Sequence, residues 1–317
     1  MHADAGSTRA SQPTWIVWLL LVVGVAAASM AAIFTRYAFP EGADPLDLSL
    51  WDATDGAHPI AISFWRCAAG AAVLAPFSLR KLQRMPRSTM KAPAVAGVFL
   101  AIHFATWVTS LGMTSVAAAV LLVSTTPVFV ALTARWVFGE RLSARMIVGI
   151  AVALGGTAAI AGGSLGPGGS HLLGDLFALL GGVTAAGYVL AGQASRRETG
   201  ILEYSVIAYG VAAALLLALD LALGLPLAGY SPPVWLAVAA VIVGPQVIGH
   251  TVINYTLKDI GATVVSVAIM AEPIIATVFA FVLFQETPSV LIYPGGLAIL
   301  IGIFLSSTAR PEMVVVE

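Results

Sequence analysis

Charge is what this sequence has least of. Only 10% of its 317 residues are Asp, Glu, Lys or Arg, against about 25% in a soluble globular protein. A chain this poor in charge cannot keep most of its surface in water, which excludes an ordinary soluble enzyme. Cysteine is nearly absent as well. Cys67 stands alone, so an internal disulfide is excluded, and its apolar surroundings predict a small core residue. No H-E-x-x-H zinc motif occurs. The glycine run GGSLGPGG at 162–169 lacks the lysine of a phosphate-binding Walker loop, which removes nucleotide hydrolysis. The formal net charge of −1 points to no charged macromolecular partner, and nucleic acid is not expected.

What the chain has in abundance is apolar length: 59% of its residues are hydrophobic. They fall into ten stretches of roughly membrane-spanning length, 15–37, 59–78, 92–111, 115–138, 144–161, 174–193, 204–223, 233–257, 262–284 and 289–307. Backbone groups in hydrocarbon must be satisfied within their own segment, so these stretches predict helices. Short turns are expected at Gly112, Met113 and Thr114 and at Lys258, Asp259 and Ile260. The first stretch is longer than a signal-peptide core and is followed by nine more, so it reads as a retained helix.

The few cations are distributed unevenly. With the N-terminus inside and each stretch crossing once, 13 of the 15 Lys and Arg fall on the inner side. The loop 38–58 carries Glu41, Asp44, Asp47, Asp52 and Asp55 and no Lys or Arg, which places it outside. Both termini are then cytoplasmic, in a plasma membrane of bacterial type.

The chain also repeats itself. TPVFVALTARWVFGERLS from Thr126 is echoed by EPIIATVFAFVLFQETPS from Glu272. Pro127 and Pro273, Glu140 and Glu286, Ser143 and Ser289, Gly149 and Gly295, and Gly156 and Gly302 are each 146 positions apart. This is an internal duplication, with one copy over 15–161 and the other over 174–307. Five crossings per copy is an odd number, so the second copy is expected upside down. The expected fold class is an all-α integral membrane protein, its ten transmembrane helices forming two inverted five-helix repeats around a central cavity. That architecture suits a carrier whose midplane site opens to either side.

The run FWRCAAGAAVL in the second stretch, SVAAAVLLVSTTPVFVAL, the GERLS turn, GDLFALLGGVTAAGYVL and EPIIATVFAFVLFQE together resemble the EamA-type branch of the drug/metabolite transporter superfamily. The resemblance covers all ten stretches. It implies secondary transport, often export, of small metabolites such as amino acids. It includes an arginine at the place of Arg66 across varied substrates, which favours a structural or gating role there. The acidic loop after the first stretch is longer than the family usually has.

Polar groups inside the apolar stretches are costly, so each one requires a reason. Glu272 is a candidate for coupling protons to transport or for pairing with a substrate amine; the alternative is a structural acid paired with Arg66. Pro127 and Pro273 are candidate hinges. Arg66 offers a guanidinium fork to a substrate carboxylate, or else a structural pairing. His103 and Trp107 are four apart on one helical face, and Gln246, His250 and Asn254 form a second stripe. Tyr188 and Tyr209 complete the candidate binding residues. Asp220 reads as interfacial, and Asp175 as an acid favoured at the start of its helix. His103, His250 and Glu272 match no recognised metal spacing, and neither a metal nor a cofactor is expected. The expected partners are a small-molecule substrate, the lipid bilayer and a coupling proton, and a homodimer is compatible with the sequence. The alternatives are a nucleotide-sugar or sugar-phosphate carrier, which would call for more buried cations, and an intramembrane enzyme.

Overall fold

The structure, a computed structural model, describes residues 14–39, 44–48, 56–114, 116–138, 140–163, 172–284, 290–309 and 312–313. Its first half consists of α1 (Thr14–Ala28), α2 (Ala31–Tyr37), α3 (Pro59–Leu74), a 3-10 turn (Ala75–Phe77), α4 (Leu79–Leu82), α5 (Lys91–Met113), α6 (Val116–Val123), α7 (Thr126–Phe138), β1 (Glu140–Arg141) and α8 (Ala144–Gly163). The second half follows with α9 (Leu172–Arg196), α10 (Ile201–Leu223), α11 (Pro232–Val241), a π-helical segment (Ile242–His250), α12 (Thr251–Ile260), α13 (Ala262–Ile269), α14 (Glu272–Phe284), α15 (Ile292–Ser307) and β2 (Glu312–Met313). Strands β1 and β2 form a single two-residue antiparallel pair. Among the described residues, seven helical spans are long and apolar enough to cross a membrane, and three shorter apolar helices, Ala118–Ala134, Ala144–Ile160 and Ile292–Ser307, accompany them.

Helix ends depart from expectation in two ways. The expected turn at Gly112, Met113 and Thr114 narrows to Thr114, because α5 runs through Met113. Likewise α12 continues through Ile260, and the chain turns at Gly261, whose φ of +89° favours glycine. More consequential are the interruptions. The fourth and ninth stretches are broken at 124–125 and 270–271. New helices then start at Thr126–Pro127 and Glu272–Pro273. A proline in the first helical turn removes an N–H that has no partner there in any case, so it starts these helices instead of kinking longer ones.

Packing pairs the two halves. α3 lies against α10, α5 against α9 and α10, α1 against the π-helical segment and α12, and α8 against α15. The last contact is made through glycine. A Cβ on Gly156 would lie 2.4 Å from the carbonyl oxygen of Gly295, and one on Gly302 would lie 2.5 Å from that of Gly149. Because Gly149 meets Gly302 and Gly156 meets Gly295, the two helices run antiparallel, backbone against backbone. Gly156→Val should push them apart. Overpacking of this kind costs about 1–3 kcal/mol, which a lowered Tm of the detergent-solubilised variant would report; an unchanged Tm would contradict this packing.

Next to the loop 38–58, His58 caps α3. Its Nδ1 accepts from Ile60 N at 3.2 Å, and its Nε2 lies 3.1 Å from the Pro45 carbonyl oxygen. Both contacts are satisfied by the neutral ring that donates from Nε2, and burial pushes the imidazole down to about 4. Most of the acidic loop, 40–43 and 49–55, lies outside the described residues. So do Glu286 and Ser289 of the repeat.

Candidate functional site

Side chains from five helices meet in one polar cluster. Arg66, in the middle of α3, is fully buried. Its Nε donates to Gln246 Oε1 at 2.8 Å, and its guanidinium carbon lies 3.8 Å from the centroid of the Phe104 ring on α5. Such a face supports the cation without consuming its N–H groups. Nη1 and Nη2 make no hydrogen bond to the described residues.

Around this centre the other candidates fall into place. The rings of His103 and Trp107 are stacked at 5.8 Å with an interplanar angle of 5°. His103 Nδ1 lies 2.9 Å from the Gly181 carbonyl oxygen on α9, which fixes the ring against that helix. The rings of His250 and Phe104 meet edge-to-face at 5.3 Å, interplanar 85°, and the Tyr188 ring lies 6.0 Å from His250. The Tyr188 hydroxyl accepts from Asn254 Nδ2. Arg66, His103, Trp107, Tyr188, Gln246, His250 and Asn254 thus form one connected group. Phe104 links three of them, and the sequence reading overlooked it. Tyr209 borders the group, its hydroxyl 3.1 Å from Thr251 Oγ1.

The stripe of Gln246, His250 and Asn254 owes its position to a backbone irregularity. Pro245 has no N–H to continue the helix, with Gly244 before it and Gly249 after it, and the chain widens into a π-helix over Ile242–His250. All three side chains still point inward, Gln246 on Arg66, His250 between Phe104 and Tyr188, and Asn254 on Tyr188. Besides the arginine nitrogens, Trp107 Nε1, Gln246 Nε2 and Asn254 Oδ1 are buried and lack a hydrogen-bond partner among the described residues. The cluster therefore presents a surplus of donors and one acceptor, a set complementary to a carboxylate that also carries a donor.

Glu272 sits differently from its expected place within a continuous ninth helix. It is the first residue of α14, where the N-terminal dipole favours a carboxylate. It is close enough to Arg66 for the two charges to act on each other, yet the only ion pair among the described residues is Lys81–Glu203, at 3.6 Å. The structural alternative of a Glu272–Arg66 pair is thus not formed. Thr126, its counterpart in the first repeat, donates to the carbonyls of Val123 at 2.7 Å and Gly182 at 3.1 Å. Pro127 and Pro273 are both buried beside these helix starts.

Asp220, read as interfacial, lies in the last turn of α10 with its side chain fully buried, and among the described residues neither carboxylate oxygen has a hydrogen-bond partner. Beyond it the helix closes with Leu225 N donating to Asp220 O at 2.9 Å, and Trp65 Nε1 donates to Leu227 O at 2.9 Å. Asp175 accepts from Thr114 Oγ1 at 2.9 Å in the first turn of α9. Arg196, read only as an inner-face cation, is buried and donates to the backbone carbonyls of Asn254 and Thr199. The sequence also holds one G-x-S-x-G string, Gly162 to Gly166. A nucleophile elbow follows a strand, whereas Gly163 closes α8, and Ser164 lies outside the described residues.

The family described as EamA-like transporter family matches residues 14–162 and again 172–308. No curated protein matches. One similar solved structure, described only as a crystal structure of a protein, superimposes with a TM-score of 0.73 at 20% identity, covering 92% of this chain and 96% of that chain. At that identity the likeness concerns the fold.

Proposed function

This chain belongs to the EamA-like transporter family, and from that premise we propose that it is a secondary transporter exporting small amphipathic metabolites that carry a carboxylate, such as amino acids. In this reading ten helices cross a bacterial-type plasma membrane as two inverted five-helix repeats, with both termini in the cytoplasm. The skew of Lys and Arg supports the orientation. The glycine contacts support the inversion. Gly149 and Gly295 are repeat equivalents, as are Gly156 and Gly302, and each touches the other's partner. A two-fold axis between antiparallel helices produces that crossed pattern. The same relation pairs the contact of α5 with α9 to that of α1 with the π-helical segment and α12.

The observation that carries the substrate class is Arg66, buried, backed by Phe104 and held through Nε alone, with both terminal nitrogens left to bind. A planar two-pronged donor matches a carboxylate. The stacked His103 and Trp107 rings offer an apolar wall to the rest of the solute. A sugar-phosphate carrier would need several cations at mid-span, and the sequence supplies Arg66 there. Flux of a panel of amino acids, decarboxylated amines and sugar phosphates through reconstituted vesicles tests the proposal. Carboxylate-bearing solutes should move and their decarboxylated amines should not; transport of amines or sugar phosphates alone would refute it.

A further inference from the structure

The basic turn between α3 and α5 does more than orient the chain: we propose that residues 75–91 bind the headgroups of anionic phospholipids. Arg80, Lys81, Arg84, Arg87 and Lys91 are all exposed. They lie in a region without acids, since no Asp or Glu occurs between Asp55 and Glu140. Among the described residues, Lys81 alone of these is in an ion pair, with Glu203 at the start of α10. Glu203 is 3% exposed, so its charge is turned inward and leaves the patch basic.

Apolar groups adjoin the cations. Phe77 is 74% exposed and Leu79 51%, on the 3-10 turn and the single helical turn of α4 where the Pro59–Phe77 span ends. Aromatic and aliphatic side chains beside a cluster of Lys and Arg form a foot that enters the headgroup boundary while its charges meet phosphate.

The duplication shows that this connection can be built without cations. The equivalent turn in the second half, 224–231, connects α10 to α11 with the sequence GLPLAGYS and carries no charge. The fold therefore makes this connection without cations. The other inner segments carry at most three cations each, fewer than this turn's five. Orientation alone does not account for the concentration at this turn.

The inference rests on the reading that this end of α3 lies at the membrane surface. Native mass spectrometry of the full chain, extracted from vesicles of equal phosphatidylglycerol and phosphatidylcholine, tests it. The protein should retain phosphatidylglycerol about tenfold over phosphatidylcholine, and 0.5 M salt should abolish the preference. The triple variant Arg80→Gln/Arg84→Gln/Arg87→Gln should lose the preference. The matching Lys triple should keep it, and so should Lys258→Gln, which alters an exposed cation elsewhere. Equal retention of both lipids by the parent chain, or an undiminished preference in the Gln triple, would overturn the proposal. A chain that never inserts into vesicles would instead fail the membrane reading beneath it.

Discussion

Arg66→Gln should reduce carboxylate-substrate binding by about tenfold to a hundredfold while leaving the protein folded and inserted. Hydrogen bonds to a charged group contribute about 1.5–3 kcal/mol, and every 1.4 kcal/mol is about tenfold in Kd. Glutamine can still meet Gln246, so the one satisfied contact of the arginine survives in part. It cannot present two parallel donors, nor lie as a cation on Phe104 at 3.8 Å. Arg66→Lys separates charge from shape. Lysine keeps the positive charge but loses the fork, so it should recover less than half of the lost binding energy. Equilibrium binding of a labelled substrate to purified protein, with a folding control by thermal melt, reads both. A Gln variant that binds carboxylate solutes as tightly as the parent would remove Arg66 from substrate contact and leave it the structural role that the family resemblance favours.

How much of this site was legible in the sequence follows from the cost of polarity in an apolar helix. Arg66, His103, Gln246, His250 and Asn254 could not face lipid cheaply, so their chemistry alone pointed them inward. The structure joins them through side chains that gave no such signal. Phe104 is one apolar residue among many in α5, and only the arginine above it and the histidine beside it mark it out. The helix interruptions were half legible. Pro127 and Pro273 were visible, but the apolar runs on either side are continuous, and composition cannot tell a kink from a fresh helix start. The π-helical segment was hidden for the same reason, although Gly244, Pro245 and Gly249 are its local cause. The burial of Asp220 was hidden because position along a helix does not reveal what packs against a side chain. Gly224 ends α10 in the left-handed conformation, a local cap in which Leu225 N donates to Asp220 O, whereas the contact of Trp65 Nε1 with Leu227 O is tertiary and no sequence period announces it.

Glu272→Gln should abolish the response of transport to a pH gradient while preserving exchange of substrate at equal pH. For one proton moved per substrate, one pH unit is worth about 1.36 kcal/mol, or about tenfold in accumulation. The argument for this carboxyl comes from the broken symmetry of the two repeats. Each opens its helix after a short interruption, with a proline in second place. The first repeat does so with Thr126, whose hydroxyl ties the start of α7 to Val123 and Gly182. A neutral hydroxyl is thus enough to build the break, and the fold does not require an acid there. The second repeat places a carboxyl at that point, half-buried and within electrostatic reach of Arg66 without being neutralised by contact. A carboxyl so placed can give up its proton when the ammonium group of a bound amino acid pairs with it and take one up again when the site empties, because proton and ammonium compete for the same carboxylate, and that exchange couples inward proton movement to export. Glutamine preserves size and hydrogen bonding but cannot make that exchange. Vesicles loaded with substrate and subjected to a one-unit pH step should therefore show about tenfold accumulation for the parent protein and about onefold for the variant. Counterflow at equal pH should be similar in both. A Gln variant that still follows the pH step would move proton coupling to another group, with the buried carboxyl of Asp220 the next to replace.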